Sequence, residues 1–136
     1  MTGLDTNVLV RYLANDDPAQ TPLAQNLINS FTSQEPGFIS LVSLVETVWV
    51  LTGVLGYNRT AAGKAVETLL EAEDIRMQYP DLVWRALRQF RTSNADFSDC
   101  IIGALGADSG CAVTVTFDRQ AAKLPGFRLL SARKPQ

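Results

Sequence analysis

Short extended segments alternate with stretches of helical periodicity along this chain, and that alternation restricts the folds open to it more than any other feature. The clearest extended segment is Ala112-Val-Thr-Val-Thr-Phe117, rich in β-branched residues and bounded by Gly110 and Asp118. Gly37-Phe-Ile-Ser40, Ile75-Arg-Met-Gln-Tyr79 and Phe127 to Leu130 are further strand candidates, and a short apolar piece ends at Asp5. A first helix is expected from about Asn7, with Leu9, Tyr12 and Leu13 on one face. Asp17-Pro18 reads as an N-cap with proline at the first helical position, opening a second helix that turns Leu23, Leu27, Ile28 and Phe31 inward. A third opens at Ser43-Leu-Val-Glu46 and runs to about Leu55; a fourth starts at Thr60 and buries Val66, Leu69 and Leu70. The fifth carries Val83, Ala86, Leu87 and Phe90, and the sixth starts near Asp96 with Cys100, Ile101, Ala104 and Leu105. A short helix precedes the final strand. Strands joined through helices favour parallel pairing, so the expected class is α/β, a mostly parallel central sheet covered by helices on both faces. Ligands of such sheets bind beyond the carboxyl ends of the strands.

At 136 residues, with no linker, repeat or low-complexity tract, the chain is read as a single domain, 1–136. It contains no histidine. That excludes Ser-His and Cys-His nucleophilic pairs, histidine acid–base work and every His-containing zinc site. Catalysis is left to carboxylates, hydroxyls, lysine or a bound metal. The N-terminus lacks a basic and apolar leader pattern, and the apolar stretch from Phe38 to Leu55 is interrupted by Ser40, Ser43, Glu46 and Thr47, so a soluble cytoplasmic protein without a membrane segment is expected. Cys100 and Cys111 have no metal-binding spacing and read as buried free thiols in preference to a disulfide.

The formal charge of −2 excludes a strongly basic nucleic-acid-coating protein, yet the charge is uneven. Residues 1–80 hold nine acids and four bases, and residues 81–136 hold five acids and eight bases. Arg85, Arg88 and Arg91 recur at i, i+3 and i+6 on one helix, which suits either a solvated face or a phosphate-contacting stripe.

Four carboxylates fall at matching places. Asp5 and Asp118 each follow a strand and precede a helical turn, and Glu46 and Asp99 lie in the first turns of their helices. Each has a structural use on its own. Glu46 completes a Ser-x-x-Glu capping box with Ser43, Asp99 follows the N-cap Asp96 by three residues, and Asp5 and Asp118 suit N-caps. If the helices start at one rim of the sheet, the four converge, and their mutual repulsion raises their pKa values. A divalent cation resolves that conflict, and hard carboxylate oxygens suit Mg²⁺ or Mn²⁺.

Leu4-Asp5-Thr6-Asn7-Val8-Leu9, the Glu46 helix, Ala95-Asp96-Phe97-Ser98-Asp99-Cys100-Ile101-Ile102 and Thr116-Phe117-Asp118 together resemble the ordered motifs of PIN domains, most closely the small VapC-type ribonuclease toxins of toxin–antitoxin pairs. The resemblance covers essentially the whole chain. It implies a three-layer α/β/α PIN-like domain and metal-dependent hydrolysis of RNA phosphodiester bonds. Carried over, Asp5, Glu46, Asp99 and Asp118 take the acidic positions, with Asp5 and Asp99 as principal ligands of Mg²⁺ or Mn²⁺. Thr6 or Asn7, and Thr116, match positions that support the pocket or contact phosphate and water, and Asp96 is assigned first to the helix cap and then to a supporting role. Glu46 or Asp118 would position or deprotonate the attacking water. Arg85, Arg88, Arg91, Arg119 and Lys123 are candidates for the RNA backbone. The implied partners are an RNA substrate, a cognate antitoxin and a second copy in a homodimer; Trp49, Leu51 and Val54 suit either interface or core.

Two other classes compete. A receiver-like signalling domain shares the acids and the Mg²⁺, but no phospho-acceptor aspartate follows Gly37-Phe-Ile-Ser40. A catalytically silent PIN interaction module would not need the four acids intact.

Overall fold

The computed structural model describes residues 1–131. Arg133 and Lys134, two of the bases counted above, lie outside them. The chain divides into two compact units, Met1–Pro80 and Asp81 onwards.

In the first unit, β1 (Thr2–Gly3), β2 (Gly37–Ile39) and β3 (Ile75–Met77) form a parallel sheet in that order. Thr2 pairs with Gly37, and Gly37 with Ile75. The ladder continues past the strand ends, with the Leu4 N–H donating to Phe38 O and the Gln78 N–H to Ile39 O, both at 2.9 Å. α1 (Thr6–Ala14) and α2 (Gln20–Asn29) lead from β1 to β2; α3 (Leu41–Gly53) and α4 (Arg59–Glu71) lead from β2 to β3. These helical crossovers are what parallel pairing requires. Because β1 and β2 run parallel, the starts of α1 and α3 both follow carboxyl ends of the same sheet.

Leu9, Val66 and Leu69 are almost fully buried, as expected, and Tyr12, Leu13 and Leu70 are half-buried; Leu44 and Leu51 join the core. α2 departs from expectation. Asp17 Oδ1 accepts from the N–H groups of Ala19 (2.9 Å) and Gln20 (2.8 Å), holding a turn before the helix proper begins at Gln20. That helix buries Thr21, Ala24 and Ile28 and leaves Leu23 at 69% and Leu27 at 38% exposure. Buried Thr21 is satisfied by donating to Arg11 O at 2.9 Å, so a small polar residue occupies the inward position that leucine was expected to fill.

α3 also begins earlier than expected. Ser40, extended at φ −78°, ψ 158°, is the N-cap, and its Oγ accepts from the Ser43 N–H at 3.1 Å. Ser43 is therefore already helical, and the Ser43–Glu46 capping box does not form.

In the second unit, α5 (Pro80–Arg91, counted here because all but its first residue belong to it) and α6 (Phe97–Asp108) bury Val83, Leu87, Phe90, Phe97, Cys100 and Ile101. Phe90 and Phe97 meet edge-to-face, with ring centroids 5.6 Å apart. β4 (Thr114–Thr116) and β5 (Phe127–Leu129) pair in parallel across a 3-10 turn, Ala121–Lys123. A side chain at Gly103 would collide with the Phe127 ring, so this helical glycine is where β5 packs onto α6. Cys100 is buried as expected, whereas Cys111 is exposed; the two form no disulfide. No helix among the described residues is long and apolar enough to cross a membrane.

The cap assignment has a measurable consequence. Ser40→Ala should lower unfolding stability by about 1 kcal/mol in urea titration, and Ser43→Ala by a small fraction of that. Equal losses would restore Ser43 as the cap.

Candidate active site

Asp5 sits two residues beyond β1, and its Oδ1 accepts from the Val8 N–H at 3.2 Å, capping α1. This cap fixes Thr6 as the first helical residue. The Thr6 hydroxyl donates to Glu46 Oε2 at 3.0 Å, tying the start of α1 to the second turn of α3. Glu46 therefore serves no helix cap. It is an exposed carboxylate held by another element, and with Asp5, Thr6, Asn7, Ser43, Trp49 and Val50 it lines an open cleft of about 560 Å³. A second recess of about 340 Å³ adjoins Asp5 and Asn7 and is lined on its α2 side by Leu23, Ala24 and Leu27. Arg11 at its edge is engaged by Gln20 Oε1 (2.9 Å) and Asp16 Oδ1 (3.3 Å).

The second unit brings Asp96, Asp99 and Asp118 together. One oxygen from each lies within 4.8 Å of the others. Asp118 follows β4 and is fixed tightly: its Oδ1 accepts from Gln120 N–H (2.8 Å) and Ala121 N–H (2.9 Å), while its own N–H donates to Thr116 Oγ1 at 2.9 Å. Thr116 thus helps to orient Asp118. Asp96 occupies the N-cap position of α6, yet its side chain makes no capping hydrogen bond. Its carboxylate lies instead with those of Asp99 and Asp118. The signal for this in the sequence is the Asp96–Asp99 spacing of three, which puts both acids at one helix start.

Asp99 is half-buried, and its carboxyl is held above the usual carboxylate range, first by burial and then by the charges of Asp118 and Asp96. Three hard oxygens with no histidine or thiolate among them suit Mg²⁺ or Mn²⁺.

Of the expected RNA-contacting residues, Arg85 is engaged: its Nη2 donates to Asp108 Oδ2 at 2.7 Å, and that bond raises its pKa. Arg88, Arg119 and Lys123 are exposed. Leu51 is core, and Trp49 and Val54 are exposed.

Parallel α/β strands that deliver carboxylates to helix starts define a class of acidic-site domain. The family model of the PIN domain matches residues 4–126, through both units, and the chain belongs to the PIN domain family. It is 24% identical over 131 residues to a VapC ribonuclease of Aquifex aeolicus (strain VF5), a match covering 96% of both chains. The crystal structure of Mycobacterium tuberculosis VapC20, a Sarcin-Ricin loop cleaving toxin, aligns at 20% identity and a TM-score of 0.47 over 90% of this chain and 93% of that one.

The charge on Asp99 opposes folding in the absence of metal. The folded state holds its proton more tightly than the unfolded state does, so stability in EDTA should fall as pH rises from the usual carboxylate range through the raised pKa, and recover below it. Asp99→Asn should flatten that step and raise the melting temperature near pH 7 in EDTA. Mg²⁺ should stabilise the wild type more than the variant. A variant with an unchanged pH profile would show that Asp99 carries no such strain.

Proposed function

We propose that this protein is a Mg²⁺- or Mn²⁺-dependent endoribonuclease, the toxin of a toxin–antitoxin pair acting in the cytoplasm. The observation that carries the reading is the cluster of Asp96, Asp99 and Asp118 in a chain of the PIN domain family. The likeness to a VapC ribonuclease along almost the whole chain supports the substrate class. On this reading Asp5, Glu46, Asp99 and Asp118 hold the metal and carry the reaction, supported by Thr6, Asn7, Thr116 and Asp96. Mg²⁺ or Mn²⁺, when bound, neutralises the carboxylates, acidifies water and offsets charge on the phosphate.

The residues divide the remaining work. Asp118, gripped by two backbone N–H donors, has little freedom and serves as a fixed ligand. Glu46 is tied through Oε2 alone, which leaves Oε1 to accept a proton from the attacking water. Water oxygen bonds to phosphorus, the bond from phosphorus to the 3′-oxygen breaks, and that oxygen takes up a proton. The products carry 5′-phosphate and 3′-hydroxyl ends. Attack by the RNA's own 2′-hydroxyl would leave a cyclic phosphate and typically uses a pair of histidines, which this sequence lacks. Arg88, Arg91, Arg119 and Lys123 are the candidates for RNA phosphates, with Arg85 once released from Asp108. The toxin reading also brings a homodimer and a cognate antitoxin; exposed Leu23 and Leu27 beside the Asp5 recess suit an apolar antitoxin helix.

Purified protein should cleave RNA with Mg²⁺ or Mn²⁺ and lose activity in EDTA. Asp99→Asn should lower kcat by more than about 100-fold, since even residues one shell removed from a metal typically cost 10–100-fold. Sequencing of product ends after brief expression in cells, with Asp99→Asn as control, would identify the RNA. Cyclic-phosphate ends, or full activity in Asp99→Asn, would sink this reading.

A further inference from the structure

We propose that Trp49 is a base-stacking platform, holding a nucleobase of single-stranded RNA in the same cleft that Asp5 and Glu46 line. This inference rests on the ribonuclease reading and adds to it a residue that positions the substrate. Trp49 is 66% exposed, which is unusual for an indole. It is also placed. Trp49 follows Glu46 by three residues on α3, so the two side chains are neighbours on one helix face, and both line the 560 Å³ cleft with Thr6 and Asn7.

One face of the ring lies toward Gly53. A Cβ built at Gly53, one turn further along α3, would lie 3.7 Å from Trp49 Cε2, 3.9 Å from Nε1 and 4.0 Å from Cδ2. Nearly equal distances to both atoms of the ring-fusion bond describe an approach over the face of the indole. Gly53, which lacks that Cβ, lies over one face of the indole and adds no side chain to cover it, in keeping with the 66% exposure of Trp49. Aromatic rings presented this way bind bases of unpaired strands through stacking, whatever the base. Val50 is the other apolar residue of the lining, and the remaining residues are polar or acidic, so the ring is the aromatic surface of this cleft.

Trp49 can be followed optically because the protein has only one other tryptophan, Trp84. In a Trp84→Phe background, in EDTA to prevent cleavage, a short single-stranded oligoribonucleotide should quench Trp49 emission saturably. An abasic oligomer of the same length should not. In cleavage assays with Mg²⁺, Trp49→Ala should raise KM roughly 5- to 100-fold with a smaller change in kcat, the size of one lost stacking contact. Trp49→Phe should restore most of the affinity. No quenching by the base-bearing oligomer, or an unchanged KM in Trp49→Ala, overturns the proposal. So does a Trp49→Ala variant that changes the sedimentation mass but not KM, which would assign the indole to a protein interface. Quenching without cleavage by the wild type would count against the ribonuclease reading alone, and cleavage without quenching against stacking alone.

Discussion

Like-charge crowding at the start of α6 is the constraint around which the second unit is arranged. Asp96, Asp99 and Asp118 hold oxygens within 4.8 Å of one another, an arrangement that unfolds more readily than it forms unless something opposes the repulsion. Apolar burial provides the opposition. Phe97, Cys100 and Ile101, interleaved with the acids in sequence, are 3%, 0% and 3% exposed and anchor the first turn of α6. The chain therefore cannot relieve the repulsion by swinging the turn away without exposing its core. Asp118 is constrained separately, by two backbone donors and the Thr116 hydroxyl. Rigid, crowded acids are what a divalent cation site requires, since the free energy stored in repulsion is released when the ion binds.

A shift of three residues at the start of α3 has comparable consequences in the first unit. With Ser40 as the cap, Leu44, Thr47, Val48 and Leu51 turn inward, and Glu46 and Trp49 stand on the exposed side. Had Ser43 been the cap, Glu46 would have been spent on the helix's own N–H groups. Its partner is instead the Thr6 hydroxyl, forty residues away in sequence, and that bond couples the α1 and α3 starts.

What the sequence made legible follows from how local each signal is. The strand–helix alternation, the Asp5 cap and the ordered acidic motifs depend on short stretches of chain, and the fold and the family match along residues 4–126 agree with them. The α2 face was not legible. Leu23 and Leu27 satisfy helical spacing as well as Ala24 and Ile28 do, and only packing against α1 decides which side is covered. The α3 cap was ambiguous for another reason: Ser40 and Ser43 are chemically identical caps, and the choice is made by where β2 ends. Asp96 reads in sequence as a side-chain cap because an aspartate at an N-cap position usually caps, and it does occupy that position. Here the α6 N–H groups go without its side chain, and the carboxylate turns to the other acids.

The charge balance sets the final condition on the proposed activity. A protein of net charge −2 with acids lining its site repels a polyanion, and its basic residues cannot all offset that repulsion, because Arg85 is already matched by Asp108 and Arg11 by Asp16 and Asp17. Two sources of affinity escape the difficulty. A divalent cation is attracted by both the carboxylates and the phosphate, so it joins two groups that would otherwise repel. Stacking on an uncharged ring is indifferent to the local potential and is not weakened by salt as phosphate contacts are. An acidic nuclease therefore gains more from one exposed indole in its cleft than a basic one would, because the indole adds affinity without neutralising the carboxylates that the metal needs.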